Sequence, residues 1–152
     1  RRMKDISLLV IKPEVARKQK KVVVSLKKRG YAILLQRKYD NWPRYARRIY
    51  TEFRKKELNC YLSKYIHKRW KNFFYVLLVH HKKENTVQRL KKEKGNYISY
   101  QSRNERTLRA EFGLSARENV MCGKITFVYC GIHCPAGKKE FLKELQLFKI
   151  KI

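Results

Sequence analysis

Four segments rich in apolar, β-branched and aromatic residues recur along the chain, and they limit its fold more than any other feature. They cover residues 6–11, 31–39, 73–79 and 125–132. Residues of these types favour strands, and the nearly continuous apolar run at 6–11 is typical of a strand that is buried on both faces. The sequence therefore predicts four strands.

Segments with helical periodicity separate these strands and follow the last one. Residues 14–29 carry an apolar stripe among lysines and end before Gly30, which is a typical helix stop. Two helices are predicted between residues 41 and 66, and one helix each at 84–94 and 138–148. This order predicts a ferredoxin-like βαββαβ fold, in which helices pack on one face of a four-stranded antiparallel sheet.

The net charge of the chain points to a polyanionic partner. Lys and Arg number 39 against 12 Asp and Glu, which gives a formal charge of +27. So much self-repulsion opposes folding unless a polyanion balances it, and RNA or DNA does so with a gain from released counterions. With 152 residues, of which 43% are hydrophobic, the chain is expected to form a single domain over residues 1–152.

Basic residues recur along the whole chain, whereas a DNA-reading module concentrates them on one helix or stripe. This distribution favours contact with several RNA segments, as in a ribosome, through phosphate contacts that position the protein and do not read sequence. A generally soluble, lysine-rich surface is the alternative interpretation. The residues expected to bind RNA are Lys20, Lys21, Arg44, Arg47, Arg48, Arg54, Lys55, Lys68, Arg69, Lys91 and Lys92.

The four cysteines, Cys60, Cys122, Cys130 and Cys134, do not form the framework of a secreted disulfide-rich protein. A reducing compartment is therefore expected. The spacing of Cys130, His133 and Cys134 differs from that of zinc fingers and ribbons, so neither a metal nor a cofactor is expected. No apolar run approaches the ~20 residues that cross a bilayer, so no membrane partner is expected.

Three short motifs resemble those of the nucleoside diphosphate kinase family. They are IKPE at residues 11–14, TLRAEFG at 107–113 and NVMCG at 119–123, beside the family's IKPD, TIRGDFG and NxxHG. The resemblance implies the same ferredoxin-like fold and a phosphoryl transfer between nucleotides through a phosphohistidine.

The resemblance also implies a nucleotide pocket. Lys12 and Arg109 match residues that contact the phosphates, and Asn119 matches an asparagine near the sugar. Tyr50 matches the active-site tyrosine. In this chain these four residues are expected to form a vestigial pocket.

Two positions compete for the place of the family's phosphate-accepting histidine. If Asn119 and the glycine after Cys122 are aligned with the asparagine and glycine of the family's NxxHG, Cys122 stands at the histidine position. A thiolate does not reproduce phosphohistidine exchange. His133 takes it if the closing helix is aligned instead, which requires an insertion after Arg109. The first alignment is preferred, so a structural cysteine and no catalytic residue are expected. Leu58 also replaces the phenylalanine that stacks on the base.

The leading hypothesis is a catalytically inactive kinase-like domain that serves as a structural RNA-binding protein of a ribosome. A mitochondrial ribosome is the specific expectation, and a cytoplasmic ribonucleoprotein the broader one. The expected partners are rRNA and neighbouring ribosomal proteins, and the charge argues against an independent homo-hexamer. Two alternatives are an interaction domain that binds acidic tubulin in a microtubule or ciliary assembly, and a residual phosphotransferase that works through Cys122 or His133.

Overall fold

The structure, a computed structural model, describes residues 4–96 and 106–152. Two short 3-10 helices, Pro13–Lys18 and Ala116–Glu118, accompany the main elements. The strands and α-helices are, in chain order, β1 (Ser7–Ile11), α1 (Gln19–Lys28), β2 (Tyr31–Tyr39), α2 (Trp42–Ile49), α3 (Lys55–Ile66), β3 (Phe74–His81), α4 (Thr86–Lys94), α5 (Leu108–Phe112), β4 (Val120–Cys122), β5 (Ile125–Phe127), β6 (Ile132–His133) and α6 (Lys138–Leu147).

Strands β2, β3, β1 and β6 form one sheet in that spatial order, and every neighbouring pair is antiparallel. All five residues of β1 are buried, and the strand pairs with β3 along its whole length, with Leu9 opposite Leu77. The order is that of a ferredoxin-like sheet, which confirms the predicted fold. Within the described residues, no helix is long and apolar enough to cross a membrane.

Helices cover both faces of this sheet, whereas the sequence predicted them on one. Successive residues of a strand point to opposite faces. Leu8 and Val10 therefore join a core with α2, α3 and α6, while Leu9 and Ile11 join a second core with α1, α4 and α5. The extra helices between β2 and β3, together with α6, carry apolar faces of their own, and these require a second layer.

The fourth strand differs from the prediction. Within the predicted segment at 125–132, β5 pairs with β4 in a separate two-stranded hairpin, and only β6 joins the sheet, opposite Val10 and Ile11 of β1. Gly131, with φ of +79°, interrupts the extended run between β5 and β6. A side chain at Gly131 would also meet Val15 at 2.9 Å, so the close passage of β6 over the first 3-10 helix requires glycine.

The predicted helices are present with shifted ends. The first turn after β1 is a 3-10 helix, and α1 begins only at Gln19. Asn41 precedes α2 in a left-handed conformation, with φ of 65°, and its side chain does not cap the helix. Helix α4 begins at Thr86, whose backbone N–H and hydroxyl both donate to the Asp5 carboxylate.

Candidate functional site

A cavity of about 720 Å³ opens beside the carboxyl end of β1. Lys12 directly follows β1, Tyr50 ends α2, Arg109 lies in α5 and Asn119 precedes β4, and all four line the cavity. The fold thus brings together the residues that the resemblance assigned to a nucleotide pocket. That they bind a nucleotide stays a prediction.

Lys12 lies at the floor of this pocket in a buried network centred on Glu14. The Lys12 ammonium is 3.4 Å from a Glu14 carboxylate oxygen, and only 2% of the Lys12 side chain is exposed. The Tyr65 hydroxyl and the Gly131 backbone N–H also donate to Glu14, at 2.7 and 3.1 Å. The Glu14 charge therefore compensates much of the Lys12 charge that a phosphate would otherwise meet.

The ammonium of Lys12 is nevertheless held in its charged form. Burial alone would lower the pKa of Lys12, but the attraction of Cys130, Glu14, Tyr50 and Tyr61 outweighs it and raises the pKa well above its ordinary value. Of these groups, the Glu14 carboxylate is the one that is ordinarily ionised at neutral pH. The pocket floor therefore carries an ion pair.

Arg109 is fixed between the pocket and the edge strand β6. The hydroxyl of Thr107 accepts from the backbone N–H of Ala110 and so starts the short helix α5. The Arg109 guanidinium donates from Nε to the carbonyl of Ile132 at 2.9 Å and from Nη1 to the carbonyl of Gly95 at 3.4 Å. These bonds hold a cation beside β6, where it lines the cavity.

His133 of β6 lies next to this pocket and forms a pair with Glu144 of α6. The His133 Nε2 is 3.0 Å from a Glu144 carboxylate oxygen, and the two side chains are only 12% and 8% exposed. A carboxylate accepts, so Nε2 carries a hydrogen, and in the neutral form of the imidazole the lone pair is then on Nδ1. The Tyr50 ring, which lines the cavity, stands edge-on to the imidazole at 5.9 Å between ring centres. Through Tyr50, the His133–Glu144 pair adjoins the cavity.

Sequence reasoning left His133 as the second choice and missed Glu144. Helix α6 packs Phe141 and Leu145 into the core, and Glu144 lies between them on the same side with 6% exposure. A carboxylate on the apolar face of a helix needs a buried partner. That position was the signal that pointed to Glu144.

Cys122, the preferred counterpart of the family's histidine, lies elsewhere. It is in β4 of the hairpin and forms a disulfide with Cys60 of α3. The Cys122 sulfur is therefore not a free nucleophile, which agrees with a structural cysteine, although no pattern in the sequence predicted the bond. The disulfide also leaves neither sulfur free to bind a metal. Within residues 4–96 and 106–152, no three His, Cys, Asp or Glu side chains are grouped as metal ligands.

Thiol counting is expected to reveal this disulfide. Cys130 and Cys134 are free and buried, and burial raises the pKa of the Cys134 thiol to about 12. Because both thiols are buried, and because the reactive thiolate form of Cys134 is disfavoured, neither thiol should react with Ellman's reagent at pH 8 in the folded protein. Unfolding without reductant should release two reactive thiols, and unfolding after reduction should release four. Four thiols before reduction would contradict the Cys60–Cys122 bond.

The apolar wall of the pocket comes from residues that the motifs did not include. Leu58, at the position of the base-stacking phenylalanine, is buried in the core and does not line the cavity. Phe53 and Phe127 do line it, with ring centres 4.9 Å apart. The hairpin of β4 and β5 therefore supplies one wall of the pocket, and the disulfide attaches this hairpin to α3.

All eleven residues predicted to bind RNA are exposed; six fall into two local sets, and a third set of five is scattered over both ends of α3 and over α4. One set lines a groove between α1 and α4, and another lines a shallow depression beside α2. In the third set, ion pairs with Glu57 and Glu118 partly compensate Arg54 and Arg69. The sets are Lys20, Lys21 and Lys92; Arg44, Arg47 and Arg48; and Arg54, Lys55, Lys68, Arg69 and Lys91.

Comparisons with known proteins identify the family and the fold of this chain. The nucleoside diphosphate kinase family model matches residues 5–127, more than half of the chain. A comparison with curated protein sequences gave no match. The crystal structure of the Aquifex aeolicus nucleoside diphosphate kinase superposes with a TM-score of 0.69, covering 95% of this chain and 94% of that one. At 16% identity this likeness shows the fold alone. On the family match, the chain belongs to the nucleoside diphosphate kinase family.

Proposed function

We propose that the pocket binds a nucleoside triphosphate and that His133 accepts its terminal phosphoryl group. The observation that carries this proposal is the His133–Glu144 pair, because the pair directs the Nε2 hydrogen to Glu144 and because Tyr50, whose ring packs against the His133 imidazole, lines the cavity. The lone pair of Nδ1 forms the new N–P bond, and the bond from phosphorus to the bridging oxygen breaks. The nucleoside diphosphate leaves with that electron pair, and a second diphosphate takes the phosphoryl group in the reverse step.

The residues around His133 supply the charges that this step needs. Arg109 and Lys12 place cations at the pocket, where they favour the anionic phosphates. The Glu144 carboxylate offsets the positive charge that the imidazole gains when Nδ1 bonds to phosphorus. Phe53 and Phe127 offer aromatic surface on which a base can stack.

Catalytic inactivity is the competing proposal, and it no longer depends on Cys122. It rests on the residues that follow His133, where Cys134, Pro135 and Ala136 replace the family's Gly-Ser-Asp and so remove a hydroxyl and a carboxylate. It also rests on the compensation of Lys12 by Glu14. Both features predict slow turnover, so the first phosphoryl transfer is a better test than steady-state exchange.

Labelling with γ-labelled ATP tests this proposal. The wild-type protein should acquire an acid-labile, base-stable label, and His133→Gln should acquire none, because glutamine keeps a polar group beside Glu144 but has no nucleophilic nitrogen. His67→Gln, which changes an exposed histidine at the end of α3, is the matched control and should label as the wild type does.

Two outcomes contradict phosphoryl transfer to His133. Label that persists in His133→Gln places the phosphoryl group elsewhere. A wild-type protein that binds a fluorescent ADP analogue but never labels is a pseudoenzyme with a retained nucleotide pocket.

We propose as a second function that the chain binds RNA as a structural component of a ribonucleoprotein, with the ribosome, including the mitochondrial one, as the specific candidate. The supporting observation is the charge of +27 together with eleven exposed candidate cations on several elements. Such a protein makes phosphate contacts at many points and needs no sequence readout.

The salt dependence of RNA binding tests this second function. If six to ten phosphates are neutralised, the affinity for structured RNA should fall by about 10³-fold or more between 50 and 200 mM salt. Co-purification of rRNA with the native protein is the expected companion result. Co-sedimentation with microtubules at a salt concentration where RNA no longer binds would instead favour the tubulin-binding alternative.

A further inference from the structure

We propose that the groove between α1 and α4 holds an RNA strand by its sugar–phosphate backbone. The proposal rests on the RNA-binding function and assigns it a site. The groove encloses about 1520 Å³, roughly twice the volume of the nucleotide pocket. It lies on the face of the sheet that α1, α4 and α5 cover, away from α2 and α3. Its cationic lining residues are Lys18, Lys20, Lys21, Lys28, Arg29, Arg89, Lys92 and Arg106.

The positive charge of this groove is largely uncompensated. Of the described residues, two carboxylates line it, Glu93 and Glu111, and both pair with Arg29, at 3.9 and 3.2 Å. Arg89 donates to backbone carbonyls of Glu84 and Lys83, which leaves its charge in place. Among the residues that the structure describes, no carboxylate pairs with the other seven cations of the groove. A polyanion in the groove therefore displaces no existing ion pair except those of Arg29.

The cations line both sides of the groove in helical register. Lys21, Val24 and Lys28 recur at three- and four-residue intervals on α1, so the two lysines lie about 10 Å apart along the helix axis. Arg89 and Lys92 are spaced by three residues on α4, across the groove. An extended chain of phosphates lying between the helices meets cations from both sides.

The lining chemistry favours RNA over an acidic protein. Five of the eight cations are exposed lysines, which bind phosphate as point charges. A planar, two-point contact with a carboxylate is made by arginine instead. Lysine is also depleted in protein–protein interfaces, which are enriched in aromatic residues. The one well-exposed apolar side chain of the lining is Val24, and its one phenylalanine, Phe112, is buried. Among the lining residues that the structure describes, no exposed aromatic ring is available to stack on a base, so the contact expected here is with the backbone.

Two triple variants with equal loss of charge test the site. Lys21→Ala/Lys28→Ala/Lys92→Ala removes three exposed cations from the groove, and Arg44→Ala/Arg47→Ala/Arg48→Ala removes three exposed cations beside α2. Binding of a fluorescent mixed-sequence single-stranded RNA is measured by anisotropy over a salt series, with single-stranded DNA of the same sequence and poly-glutamate as further probes. Far-UV circular dichroism melts establish that both variants fold.

The groove variant is expected to bind RNA about 50-fold more weakly at 0.15 M salt, and the slope of log affinity against log salt should fall by about 2, as the loss of three phosphate contacts predicts. The α2 variant should lose far less, and poly-glutamate should compete poorly. Equal losses in the two variants, or competition by poly-glutamate as effective as by RNA, would overturn the assignment of the groove while RNA binding stands. Binding of DNA much more tightly than RNA would also overturn it, because the groove would then hold a DNA backbone and not an RNA backbone. A wild-type protein that binds no RNA would instead refute the RNA-binding function itself.

Discussion

Replacing Glu14 by alanine is expected to lower the free energy of unfolding by about 3–5 kcal/mol, the range for breaking a buried ion pair from one side. The Glu14 side chain is fully buried, forms an ion pair with Lys12 and accepts hydrogen bonds from the Tyr65 hydroxyl and the Gly131 backbone N–H. Alanine leaves the Lys12 ammonium buried without its carboxylate, and the other two donors lose the bond to Glu14. Urea unfolding at pH 7, followed by tryptophan fluorescence, measures the loss.

Glu140→Ala is the control for this variant, since Glu140 is an exposed carboxylate at the start of α6. Its expected change is within about 0.5 kcal/mol, as for surface substitutions in general. A Glu14→Ala protein as stable as Glu140→Ala would mean that Lys12 is not held by a buried carboxylate. The pocket floor would then contain no stabilising ion pair.

Replacing Glu144 by alanine is expected to slow the labelling of His133 by ATP about 10²–10⁴-fold, the range seen when a carboxylate that orients a catalytic histidine is lost. Glu144 is a positioning residue, because it holds the hydrogen on Nε2 and leaves the lone pair on Nδ1. Without it the imidazole can adopt either tautomer and loses the charge that stabilises its phosphorylated form. Single-turnover labelling measures this rate.

Two comparisons separate this positioning role from a structural one. Glu144→Gln keeps an oxygen that accepts from Nε2 and should restore part of the rate. Nitrogen-15 chemical shifts of His133 should show the hydrogen on Nε2 in the wild type and a mixture of the two tautomers in Glu144→Ala. Glu140→Ala, on the same helix, should label at the wild-type rate. A Glu144→Ala protein that binds the nucleotide less tightly but labels normally once saturated would refute the role.

The sequence predicted the frame of this fold because its central strands carry strong local signals. The apolar runs of β1 and β3 predicted strands, and the Lys12 and Arg109 motifs identified the residues that line one cavity. The motifs lie at the ends of strands and helices that the sheet brings together, so short patterns were sufficient there.

The course of the fourth strand and the His133–Glu144 pair could not be predicted in this way. The segment at 119–123 matches the family's motif in sequence, but it lies in a hairpin beside the pocket, whereas β6 has two residues and pairs with β1 after a glycine. Only pairing across the sheet distinguishes the two segments. The pairs His133–Glu144 and Cys60–Cys122 likewise depend on contacts between elements, which single-sequence periodicity does not contain.

The helical layers on both faces of the sheet also restrict how this protein can meet RNA. Many domains with a four-stranded sheet of this kind leave one face bare and spread unpaired bases across its aromatic side chains. Here α2, α3 and α6 cover one face while α1, α4 and α5 cover the other, so among the described strands only the edge strand β2 keeps several exposed residues. Stacking of bases across a bare sheet is therefore not expected, and the exposed positive charges are the surface on which a phosphate backbone would lie.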